Sequence, residues 1–160
     1  MPDILSVILR ALSFVMLFQA AGVAIFIAIF GRRLASSHET VRRLGRAAAI
    51  SAIVLVAGHY VMEAARMAGE MSGMWDPALQ GMAWNSPARA ALIGRLLGLA
   101  LIAIGLLGAS IRGTVVALGG AVLATGAFTL TGHTSVSVHR ETLAQGNAAL
   151  AIAADPGEKA

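Results

Sequence analysis

Apolar residues in this chain run in long uninterrupted stretches, with most of the charge gathered into the short segments between them. Four stretches stand out, at positions 4–30, 47–67, 90–109 and 114–131. A helix rises 1.5 Å per residue, so stretches of about 20 residues match a hydrocarbon layer about 30 Å thick. The pattern predicts an all-α fold, an integral membrane four-helix bundle. The first stretch begins with Pro2 and Asp3 instead of a basic segment, and it is longer than the apolar core of a signal peptide. It reads as a retained helix.

Composition agrees. The 160 residues are 58% hydrophobic and 12% charged, with a mean hydropathy of +0.79 and no cysteine. A soluble domain carries about 25% charged residues, so most of this surface is expected to face lipid. Disorder, a disulfide scaffold and a thiolate metal centre are excluded.

The net charge of +4 gains meaning from its placement. Arg32, Arg33, Arg42, Arg43 and Arg46 all fall between the first and second stretches, and Lys and Arg collect in cytoplasmic loops. The N-terminus is then outside, on the periplasmic side, together with 68–89 and everything after Gly132. Arg112 lies in the short connection 109–113, which closes the third and fourth spans into a hairpin on the inner face. The arginine patch has no interleaved aromatics, and no nucleic-acid partner is expected. Gly94, Gly98, Gly105 and Gly108 mark the third span as closely packed, Gly94 and Gly98 in GxxxG spacing. Two parts result: a four-helix transmembrane domain over 1–138 and a polar tail over 139–160. The tail's longest apolar stretch, 148–154, is too short to span a bilayer.

Candidate chemistry gathers toward the proposed outer side. The second span contains AGHYVMEAARM, which sets His59, Met62, Glu63 and Arg66 along one side of a helix. Ionisable groups inside lipid are expensive and default to a functional role. Beyond them, MAGEMSGMWDPALQGMAW reads as a mobile polar outer loop carrying Met67, Met71, Met74 and Met82. Five of the seven methionines fall between positions 62 and 82. Thioether sulfur is a soft ligand suited to Cu(I), and imidazole binds either oxidation state of copper. His133, at the end of the fourth span, and His139 beyond it complete a candidate metal set of His59, Met62, Glu63, Met67, Met71, Met74, His133 and His139. Arg10 and Arg95 are further intramembrane cations, placed to pair with Glu63 or Asp3 or to meet an anionic group such as a heme propionate. The alternative reading is a b-type heme redox protein with His59 and His133 as axial ligands. His38, in the arginine-rich loop, has no evident partner. No nucleophile with a supporting base and no phosphate-binding glycine loop occurs, so no enzyme is expected.

The TGHTS sequence at 131–135, with GHYVMEAARMAGEMSG at 58–73, resembles the CopD-type copper resistance membrane proteins of bacteria over roughly residues 1–138. The resemblance implies a multi-pass protein of the bacterial inner (plasma) membrane that binds copper ions, Cu(I) or Cu(II), and moves them across the bilayer. It also implies a periplasmic copper-binding partner of the CopC type. Carried over by position, His133 within TGHTS is the best match, followed by His59 and the methionines around it. Proteins of this type run to about twice as many helices, so a homodimer or a second half-protein is a further expected partner, besides membrane lipid.

Overall fold

The computed structural model describes residues 2–33, 37–86 and 88–129. Five helices carry them: α1 (Pro2–Phe30), α2 (His38–Ala68), α3 (Pro77–Trp84), α4 (Ala88–Gly105) and α5 (Ile111–Gly126). Short 3₁₀ segments fill Gly31–Arg33 and Met71–Trp75. Among the described residues α1, α2 and α4 are long and apolar enough to cross a membrane, while α5 is an apolar helix of 16 residues. No strand occurs among them.

Helix α2 starts at His38, inside the arginine-rich segment and well ahead of the apolar run at 47–67. Local charge explains the extension. Glu39 lies in the first turn, where an acid complements the helix dipole. Its carboxylate accepts from Arg42 and Arg43, each at 3.0 Å, and stands 3.6 Å from Arg46. Pairs three and four residues apart support a helix regardless of hydropathy. At the other end Gly69 adopts φ +75°, and its N–H donates to the Arg66 carbonyl. This left-handed cap is open to glycine at little cost.

The four long helices run up, down, up, down. α1 packs on α2 and α5, α4 packs on α5 and α2, and α1 and α4 sit diagonally. The interior is built mostly from alanine, including Ala20, Ala24, Ala49, Ala52, Ala117 and Ala121, with Leu17, Leu99, Ile102 and Leu106 as the largest buried side chains. Small residues let backbones approach, which is how helices associate where lipid removes the hydrophobic drive. The outward faces carry large apolar groups such as Val7, Val15, Val54, Ile104 and Val122, all exposed. Facing lipid, these side chains need no further cover.

The closest approach is between α4 and α5. A Cβ on Gly98 would stand 2.5 Å from the Ala124 nitrogen and 2.6 Å from the Gly120 oxygen. One on Gly105 would meet the Gly113 oxygen at 2.5 Å. The seam therefore pairs Gly98 and Gly105 of α4 with Gly113 and Gly120 of α5, glycines a heptad apart on each helix. The expected GxxxG pair is half right: Gly98 belongs to the seam, whereas a Cβ on Gly94 meets only the Ala127 side chain at 3.1 Å, and Gly108 faces open space. The connection Leu106–Ser110 returns the chain, and the Ser110 hydroxyl caps α5 by accepting from the Gly113 N–H at 3.0 Å.

Two ends result. One gathers the starts of α1 and α4 with the finish of α2, and carries His59. The other gathers the finish of α1 and α4 with the starts of α2 and α5, and carries the arginines. There Arg42 is buried, 5% exposed. Its Nε and Nη2 donate to the Leu106 carbonyl at 3.1 and 2.7 Å.

Candidate metal site at the histidine end

The first helix already contains the signal for this end. Ser6, Arg10 and Ser13 follow at i, i+4 and i+7 in an otherwise apolar run, a spacing that stacks them on one helix face. Ser6 and Ser13 are both 3% exposed. Ser13 satisfies its hydroxyl within the helix, donating to the Arg10 carbonyl at 2.7 Å. Ser6 instead reaches across to α2, where its Oγ lies 3.4 Å from Nδ1 of the half-buried His59. With Nδ1 protonated and donating to the Ser6 oxygen, Nε2 is left as the ligand position, the usual arrangement behind a metal-binding histidine. Next along α2, the Tyr60 hydroxyl is buried with no hydrogen-bond partner among the described residues, and its ring meets Trp84 edge-on at 6.3 Å.

Charge of both signs lies around the imidazole. His59 is within electrostatic reach of Glu63, Arg10, Arg66 and Arg95. Glu63 is held by Arg66 at 2.9 Å, so it does not serve Arg10 or Arg95 in the expected way. Those two guanidinium groups, from diagonal helices, lie over one ring, Phe14, at 5.6 and 5.9 Å. Arg95 also lies 4.3 Å over Phe128, which in turn meets Phe14 edge-on and stacks on Phe18. Aromatic faces attract cations, more so away from water. The alternative partner for Arg10, Asp3, has a side chain outside the described residues.

The methionine segment corrects one expectation. Instead of a mobile polar loop, the stretch between α2 and α4 folds into the 3₁₀ segment Met71–Trp75 and helix α3, both packed on α2. Asp76 caps α3 by accepting from the Ala78 N–H at 2.8 Å, and Pro77 stands at the helix start. Both are strong start signals. Gln80 donates to the Met74 carbonyl at 2.9 Å, joining the two short elements. Gly73 is buried so tightly on α2 that a Cβ there would overlap the Ala68 side chain and stand 3.2 Å from the Ala64 oxygen. Gly73→Val is therefore expected to lift the segment from α2 and raise its proteolysis and hydrogen exchange over residues 70–84. Gly81→Ala, where a Cβ meets nothing within 4 Å, should match the parent. Equal protection in the two variants would show that Gly73 does not anchor the segment.

The candidate ligands are thus unevenly placed. His59 lines the bundle at its Ser6 contact, Met62 is buried at 3% exposure, and Met74 is half-buried. Met67 and Met71 are exposed. Among the described residues no group of three or more His, Asp or Glu converges as a metal site. His133, His139, the TGHTS motif and the tail lie outside the described residues. The sequence reading missed Ser6 as the partner of His59, Phe14 and Phe128 as the seats of the two arginines, and Gly73 as an anchor.

Residues 1–138 match the family model described as copper resistance protein D-like, N-terminal domain. No curated protein and no solved structure matches the chain.

Proposed function

We propose that this chain, which belongs to the copper resistance protein D-like family through its N-terminal domain, binds copper at its histidine end and helps carry it across the bilayer. Family and helices together make it a copper resistance membrane protein. The finer reading is that exposed Met67 and Met71, with Met74 beside them, capture Cu(I) and deliver it to a site built on His59 and completed by His133. The Ser6–His59 contact carries this reading, because it orients an intramembrane imidazole at the end of the bundle where the methionine segment is docked. Thioether and imidazole suit Cu(I), and the thioether needs no deprotonation to bind it. The heme alternative finds no support in the family match.

In this reading the histidine end faces the periplasm and the protein resides in the inner membrane. The basic residues clustered at the opposite end, Arg33, Arg42, Arg43, Arg46 and Arg112, support that orientation. Binding and passage involve no turnover chemistry.

The test is metal analysis of the purified full chain after loading with Cu(I) under reducing conditions. The parent should retain copper, while His59→Ala and His133→Ala should each lose most of it. Ser6→Ala should weaken binding about tenfold, as loss of a partner behind a ligating histidine does. Copper content unchanged in His59→Ala would overturn the proposed site.

A further inference from the structure

The opposite end holds a groove that the copper reading does not use. It is an open groove between the finish of α1 and the start of α5, with a volume of about 650 Å³, within the range of small-ligand pockets. Its walls are apolar, from Ile27, Val115 and Leu118, and its mouth is polar, from His38, Ser110 and Thr114. The His38 imidazole is folded over the groove beside Gly31, with Nε2 3.4 Å from where a Cβ on that glycine would be.

Beside the groove in the chain, charge is one-sided. Arg33 follows the lining residue Gly31 closely, Arg112 directly follows the lining residue Ile111, and both are exposed. Glu39 is the one carboxylate that the described residues bring to this end, and it is engaged by Arg42, Arg43 and Arg46. It is not available to neutralise the rim. The apolar walls continue onto exposed outer surfaces, with Ile111 at 78% and Val115 at 62% exposure. A ligand here meets positive charge at the helix ends and an apolar track leading along the helices.

We propose that this groove binds an anionic phospholipid, its phosphate held by Arg33, Arg112 and His38 and its acyl chain lying along Val115 and Leu118. Basic pockets between membrane helices suit anionic headgroups. An unscreened cation at the membrane surface favours such a lipid over a zwitterionic one of equal chain length. The same charge gives no reason for an apolar protein segment to settle there.

Native mass spectrometry of the delipidated full chain, titrated with phosphatidylglycerol or phosphatidylcholine of matched chains, tests this. Phosphatidylglycerol should be retained at least fivefold more than phosphatidylcholine. The double variant Arg33→Gln/Arg112→Gln should bring the two lipids within twofold, and Leu118→Trp, which fills the groove, should reduce retention of both. Arg89→Gln, at the other end over Trp84, should leave the preference intact. Equal retention by the parent, a preference surviving the double variant, or adducts unaffected by Leu118→Trp would each overturn the proposal. So would displacement of the lipid by soluble glycerol phosphate, which would indicate a free-anion site.

Discussion

Replacing Arg42 with alanine is expected to destabilise the bundle by about 3 kcal/mol, from the buried carbonyl left without a partner and the void left behind. The Leu106 carbonyl lies at the end of α4, among the groups that a helix cannot satisfy internally. It accepts both Nε and Nη2 of Arg42 at 3.1 and 2.7 Å, and it sits where the helix dipole favours a cation. Among the described residues no other side chain donates to this carbonyl. Glu39 would lose one partner but retain Arg43 and Arg46, so the effect originates at Leu106. Arg42→Lys should recover less than half of the loss, because an ammonium is a single point of charge and lacks the fork. Arg43→Ala, whose side chain is 72% exposed, should stay within about 0.5 kcal/mol. Equilibrium unfolding in mixed micelles reads all three, and identical curves for Arg42→Ala and Arg43→Ala would dismiss the role of the buried arginine.

The second large effect is expected at the α4–α5 seam. A Cβ on Gly120 would stand 2.5 Å from the Gly98 oxygen, 2.8 Å from the Leu101 Cβ and 2.9 Å from the Ile102 nitrogen. Two of these neighbours are backbone, which cannot rotate away, so the helices must separate along their length. Gly120→Leu should cost about 3 kcal/mol or more, the upper part of the usual overpacking range. Gly98→Leu should cost a similar amount, and the double variant less than the sum, because both act on one gap. Gly119→Ala and Gly126→Ala, where a Cβ meets nothing within 4 Å, should be neutral or slightly stabilising, since alanine is the better helix former. If Gly119→Ala and Gly120→Leu unfolded alike, close approach would not be what holds these helices together.

Much of this architecture was legible as hydropathy. Apolar runs locate helices well because lipid demands them, but they do not locate helix ends. α2 begins at His38 because the interactions of Glu39 with the arginines act on the helix itself, independent of any membrane. The segment after Ala68 was misread by composition: its glycine, serine and proline suggested a loop, although Asp76 and Pro77 are ordinary start signals for α3. Glycine spacing pointed to α4 but not to its mate, since a seam depends on two helices and the sequence displays each singly. For the candidate site, His59 stood out as a polar residue in lipid. Ser6 did not, because a serine in a membrane helix commonly bonds its own backbone, as Ser13 does. Which serine turns outward is decided by the neighbouring helix.

The glycine seam also has a mechanical meaning. α4 and α5 approach so closely that they are expected to move as one leaf, with α1 and α2, in contact through Ser6 and His59, as the other. At one end Arg42 ties the leaves through Leu106; at the other they meet through the Phe14, Phe18 and Phe128 rings. Hydrogen bonds hold direction, whereas stacked rings slide. On the copper reading proposed above, an opening toward His59 is expected to part the leaves at the aromatic end and pivot on the arginine, like a book held at its spine.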